Sequence, residues 1–300
     1  MDHKAFLRSL HPADKAYLTQ RSDAAGLVPL ALHFGLIAFF GLWIALGWPA
    51  WQLALVPQAF LVTFLFTLEH ECTHQTPFAS QALSTWVGRI AGFVHGLPFE
   101  RFRYFHLAHH RFTNDPDNDP ELQITKPKTL RAWVWTMSGM ANWIWLIRQL
   151  FTSAFGTDDA PYIPDRVKGR VRREARLHLT LYAGLGVAML TVAPWLFWIW
   201  VVPSLIGQPA LRAYLLAEHA GCDHGTNMFL NTRTTFTSRA IRLLAWNMPF
   251  HAEHHTYPAV PFHRLPELHA RMRTHLGVTS EGYGAFTRDY LRDMRQGDSA

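Results

Sequence analysis

The sequence predicts an all-α integral membrane protein, with four transmembrane helices in two hairpins and a histidine-rich helical cap on one side. Three observations carry that prediction. No Lys, Arg, Asp or Glu occurs between 24 and 68 or between 177 and 211, while the flanking stretches are densely charged. A crossing takes about 20 apolar residues, so each run holds two crossings and a tight turn. Finally, histidines gather in three short patterns, His70-Glu71-Cys72-Thr73-His74, His106-Leu107-Ala108-His109-His110 and His251-Ala252-Glu253-His254-His255.

In chain order, residues 1–26 form a charged terminus and 27–69 the first hairpin, turning near Gly47-Trp48-Pro49, where Pro and interfacial Trp are expected. Residues 70–175 carry the first two histidine patterns. Within them, Leu83 to Leu97 is apolar but short and contains Arg89, which suits an interfacial or re-entrant segment. Trp133, Trp135, Trp143 and Trp145 with Arg131 and Arg148 suggest a helix lying at the membrane surface, a soluble core being the alternative. The second hairpin, 176–219, turns near Ala193-Pro194-Trp195, and 220–300 carry the third pattern.

Four crossings put both termini and the middle segment on one side, and these hold every Lys and Arg but Arg176 and Arg212, which lie near the two ends of the second hairpin. The positive-inside rule makes that side cytoplasmic, in a bacterium across the inner membrane. The net charge of +6 is then accounted for by topology and anionic lipid, without nucleic acid. The first apolar run starts too late and runs too long for a cleavable signal peptide. Two cysteines, Cys72 and Cys222, fit a reducing compartment and exclude a disulfide framework or an iron–sulfur cluster.

His70 and His74, four apart, share one helix face at the end of the second crossing, and the spacings of three and four in the other patterns also bring the outer histidines near one face. A lone histidine near an apolar helix is ordinarily a satisfied core residue, the reading given to His33, His95 and His178. Eight in three clusters need a common partner, which a metal supplies. Imidazole suits iron, copper, zinc or nickel, and eight donors are too many for one ion. His70 to His74 also satisfies HExxH, an intramembrane zinc protease signature with Glu71 as base. That reading leaves six histidines without a role, and the second hairpin offers no acidic ligand before Glu218. The run Asn114 to Asp119 lacks the Gly and distal Glu of a calcium loop and reads as a polar turn after the second pattern.

The three patterns, in this order, resemble the histidine boxes of the membrane fatty acid desaturase and hydroxylase superfamily. The flanks RFTNDPDNDPEL and NMPFHAEHHTYPAVPFHRLPELH look like its acyl desaturase branch. The likeness runs from the first hairpin to about His269; three boxes together are specific, whereas one alone is weak. It implies two irons at the cytoplasmic face, held by His70, His74, His106, His109, His110, His251, His254 and His255. A ninth nitrogen would come from His219 in AEHAGC, with His224 as the fallback. No catalytic side chain is implied beyond the metal centre. Glu71 would orient a ligand histidine or simply be solvated; Glu253 would orient one, as would Asn114 or Asp115 through a hydrogen bond. Asn247 and Arg233 would serve as further orienting or head-group residues. Arg212 would snorkel to the interface or steady a substrate head group.

The implied reaction uses O2 and two electrons to introduce a C=C bond into an acyl lipid or acyl thioester by successive C–H abstraction; lipid or carotenoid hydroxylation or ketolation is the alternative. A membrane protein that merely binds metal is a further possibility. Electrons would come from a separate carrier such as ferredoxin, because no HPGG haem motif is present: His11-Pro12 is followed by Ala13. Arg101, Arg103, Arg170, Arg172 and Arg173 would line its docking face.

Overall fold

The computed structural model describes residues 1–123, 126–156 and 158–296. The chain is mostly helical, and among the described residues the strands are one short parallel pair, Thr234–Thr235 with Thr279–Ser280. Asp23–Ala45 starts where Ser22 accepts from Ala25 N and Asp23 complements the helix dipole. Its 23 residues reach about 34 Å, enough to cross a bilayer. The chain reverses through Gly47 and a left-handed Ala50, then runs as Trp51–Thr63 and Leu65–Thr73.

Three helices are long and apolar enough to cross a membrane, Pro12–Ala45, Trp51–Thr73 and Phe197–His219. Val28, Leu32, Phe39, Leu42, Leu53 and Val56 stand exposed on the first two. So much apolar surface would be a liability in water but is required in lipid. The sequence suggests four crossings; by length and composition three qualify. The remaining arm, Asp165–Thr191, is long but highly charged until Arg176, and only its second half is apolar.

The last arm is broken into Phe197–Val201, Val202–Ile206 and Gln208–His219. At the second break Gly207 lies so close to Trp51–Thr63 that a Cβ would fall 2.0 Å from Thr63 Oγ1, so only glycine allows the approach. The expected single surface helix is two, Leu130–Met137 and Met140–Phe155, parted at Gly139 with φ +72°. Val134, Trp135, Ile144, Ile147 and Phe151 are exposed along this pair, an apolar surface rather than a soluble core. Gln81–His95 is short, exposes Trp86 and Ile90, and is tied to the next helix by Arg89 and Glu100 at 2.6 Å.

The main core includes Leu65, Leu68, Leu211, Tyr214, Phe250 and Leu268. It joins the second membrane helix and the last arm to the C-terminal segments. Their histidine-bearing ends therefore meet.

Candidate metal centre

Four separate segments deliver the histidines. His70 and His74 close Leu65–Thr73, the latter as its C-cap; His106, His109 and His110 lie on Phe99–Phe112; His219 ends Gln208–His219; His251, His254 and His255 lie on His251–Thr256. Their side chains converge as two groups. His70, His74, His106, His110 and His254 form one, and His109, His219, His251 and His255 the other, with the donor atoms of each group within 4.8 Å of one another.

Within the groups Nε2 atoms face each other: His74 and His106 at 2.8 Å, His110 and His254 at 3.1 Å, His109 and His219 at 3.2 Å, His219 and His251 at 3.2 Å. Nitrogens bound about 2.1 Å from one ion at right angles sit about 3 Å apart, so these are the spacings of shared ligand sets. Both ring nitrogens of His70, Nδ1 of His110 and Nε2 of His255 are buried without a hydrogen-bond partner. Burying so many unpartnered nitrogens is costly unless a cation meets them.

Protonation agrees with that reading. Burial first, then the neighbouring imidazoles, hold His106, His110, His251, His254 and His255 well below the usual histidine range. Burial and Arg103 push His74 down to about 3. These rings present lone pairs, as a ligand must. At His109 burial also acts downward, but Glu121 and Asp119 outweigh it and the shift is upward.

Nδ1 of His109 donates to Asp119, 3.0 Å from each oxygen. Asp119 is itself held by the amides of Asn114 at 2.7 Å and Glu121 at 2.9 Å. The partner expected at Asn114 or Asp115 is therefore Asp119. Asn114 takes a left-handed conformation, φ +59°, that folds the chain back, and its side chain donates to Asn231 O and Asp223 O. Asp115 sits in an exposed turn, accepting from Asp117 N and Asn118 Nδ2. Nδ1 of His219 donates to Asn231 O at 3.1 Å, whereas His224 donates to Asn114 O and lies outside both groups.

Glu71 is buried rather than solvated: Oε1 stands 3.7 Å from His254 Nδ1, and Oε2 accepts from Phe262 N and Thr76 Oγ1. Glu253 turns away from the boxes to Thr234 Oγ1 and His269 Nδ1, so it braces the third box from behind. Two other carboxylates approach instead, Glu218 at 3.3 Å from His251 Nδ1 and Glu121 at 3.3 Å from His109 Nε2. Neither stands out in the sequence, because only the fold turns them inward.

Asn247, φ +58°, donates to Phe262 O and braces the turn before the third box, with no histidine as partner. Arg233, proposed from the sequence as an orienting or head-group residue, donates to Ala217 O and Ala220 O and stacks on Phe286, capping the helix that ends in His219. Arg101 is buried against Asp158 at 2.7 Å and cannot line a docking face; Arg103 is half-buried, while Arg170, Arg172 and Arg173 stay exposed. Of the histidines expected to be structural, His33 accepts from Trp246 Nε1 and donates to Leu61 O.

A cavity of about 160 Å³ abuts the histidines, with Phe66, Leu97, Phe102 and Leu146 among its apolar walls. Arg212 turns into it rather than snorkelling outward. A second, apolar groove of about 370 Å³ adjoins it through the shared Leu146, between Trp143, Leu150 and Trp200. His70 and His74 sit in a group of five imidazoles. A zinc peptidase site has no use for such a set.

Fold and site define a helical membrane protein in which two histidine groups could each hold a metal ion. The chain belongs to the fatty acid desaturase family, whose model, "Fatty acid desaturase", matches residues 46–286. It is accordingly an oxidoreductase. It is similar to the sphingolipid delta(4)-desaturase DES1-like protein of Oryza sativa subsp. japonica, 24% identical over 258 residues that cover 82% of this chain and 73% of that one. The sphingolipid delta(4)-desaturase DES1 of Gallus gallus is 25% identical over 88% of this chain and 79% of its own. Its Homo sapiens counterpart is 25% identical over 66% of this chain, and the match spans 58% of the human protein.

Proposed function

We propose that this protein is an O2-dependent di-iron desaturase that introduces a C=C bond into an acyl chain. The observation that carries the reading is the convergence of nine imidazoles from four segments into a group of five and a group of four, beside an apolar cavity. All nine histidines are proposed as ligands. Iron held there supplies, with dioxygen and two electrons, the oxidising power needed to take two hydrogens from unactivated methylenes.

The chain's own residues do the rest. Asp119 and the Asn231 carbonyl each accept a hydrogen bond from an Nδ1–H, so His109 and His219 keep the tautomer that turns a bare Nε2 toward the centre. Glu71, its Oε1 3.7 Å from Nδ1 of His254, stands behind a third ligand. Phe66, Phe102 and Leu146 confine an apolar chain and keep water out.

Four crossings complete the picture. The apolar half of Asp165–Thr191 exposes Leu177, Leu181, Val187 and Leu190, which suits lipid, and its charged half stays outside. Both termini and the metal centre then share the cytoplasmic face with the Lys and Arg of the segments outside the hairpins. A small electron carrier such as ferredoxin docks there, with Arg170, Arg172 and Arg173 as its basic contacts. The relatives' names, sphingolipid delta(4)-desaturases, support a lipid substrate.

The test is mass spectrometry of extracts from cells expressing the chain with a ferredoxin system, against His254→Ala. A product lighter by two hydrogens, absent from the variant, is expected. A product heavier by one oxygen would replace desaturation with hydroxylation, and identical extracts would refute the reading.

A further inference from the structure

Arg212 lies seven residues before His219 on the same helix, about 10 Å along its axis from the histidines. Its guanidinium donates to Asn142 Oδ1 at 3.1 Å. Among the described residues it takes part in no ion pair. Its Nε and the Nδ2 of Asn142 are buried without partners, and both residues line the cavity that reaches His70, His109 and His219.

A charge inside a membrane-spanning helix is expensive, and where it persists it faces a partner or a pathway. The two unmet groups here are both N–H donors, one of them cationic, so the partner they lack is an anionic acceptor. Much of the remaining wall is apolar, with Phe66, Leu97, Leu146 and Leu215 on it. Such a wall takes a hydrocarbon chain.

We infer that Arg212 and Asn142 bind the carboxylate of a free fatty acid, or of an amphiphile with the same end, and hold its chain toward the histidines. The inference rests on the desaturase reading for the role of the cavity and narrows its substrate class. An ester or thioester carbonyl brings no charge to Arg212, whereas a carboxylate matches the guanidinium fork.

The test measures binding without turnover. Purified wild type and the variants Arg212→Gln, Arg212→Lys and Asn142→Ala, in detergent micelles with protein-free micelles as blank, are titrated with radiolabelled palmitate, methyl palmitate and hexadecyl phosphate. Iron content per chain reports folding. Palmitate is expected to bind saturably and about tenfold or more tighter than its methyl ester. Arg212→Gln should remove that preference, Arg212→Lys should keep most of it, and Asn142→Ala should weaken palmitate alone. Equal affinity for acid and ester in the wild type, an Arg212→Gln protein that still prefers the acid, or no saturable palmitate binding would overturn the inference. Tighter binding of hexadecyl phosphate would overturn the carboxylate assignment. Should Arg212→Gln fail to load iron, Asn142→Ala decides: unchanged palmitate affinity there removes the site. A desaturated product in cells, lost in His254→Ala, alongside an absent acid preference would sink this inference and leave the desaturase reading standing.

Discussion

Asp119 accepts the Nδ1 proton of His109 with both carboxylate oxygens at 3.0 Å, while the Nε2 of the same ring stands 3.2 Å from that of His219. The carboxylate thus sets which nitrogen of His109 is bare and where it points, ten residues from its own place in the chain.

Replacing Asp119 by Asn keeps the shape and removes the charge. Losses of about 10–100-fold in metal affinity or activity follow from such changes behind a ligand. Iron per chain and product formation in Asp119→Asn should fall within that range, whereas Asp115→Asn, in the exposed turn, should match the wild type in both. Full iron loading in Asp119→Asn would show that the bond does not position His109.

His219 and His224 can be separated in the same way. His219→Ala removes one of four imidazoles from its group and should lower bound iron and abolish turnover. His224→Ala loses only the bond to Asn114 O, and both irons should stay. The reverse pattern would move the ninth ligand to His224.

Arg233 caps the helix that presents His219, with hydrogen bonds to Ala217 O and Ala220 O. Arg233→Met leaves those buried carbonyls unmet, which costs about 1–3 kcal/mol each at most. A lower thermal midpoint in detergent with unchanged substrate affinity is expected. Weakened substrate affinity at an unchanged midpoint would restore a head-group role.

Glu174 answers to pH. Burial, only partly offset by the hydrogen bond from Glu100 N, pushes it from 4.5 up to about 7. The folded chain therefore holds this proton more tightly than the unfolded one, so the stabilising contribution is full below 4.5 and is lost as pH rises through 7. Glu174→Gln, uncharged throughout, should gain in thermal midpoint over the wild type between about pH 5 and 8. Parallel midpoints across that range would show that the fold does not hold the Glu174 proton more tightly than the unfolded chain does.

Some of this was readable from the chain. The spacing of His70 and His74 places both on one helical face whatever surrounds them, and the uncharged runs from 24 to 68 and from 177 to 211 mark the lipid-compatible segments. The run from Asn114 to Asp119 was visible as a polar turn. Its acids could not be ranked, because the left-handed turn at Asn114 decides which of them faces back.

By itself the sequence determined the donor types, their spacing within each helix and the membrane setting, since these follow from local periodicity and transfer free energy. Only the tertiary structure decided how the histidines divide into five and four. It also turned Asp119 and Glu218 inward, buried Arg101 against Asp158, and put Arg212 on the wall of a cavity while Arg233 became a cap. Periodicity specifies a face of one helix. His109 and His219 are 110 residues apart and His110 and His254 are 144, so those pairings depend on how the core joins the helices, which no local pattern encodes.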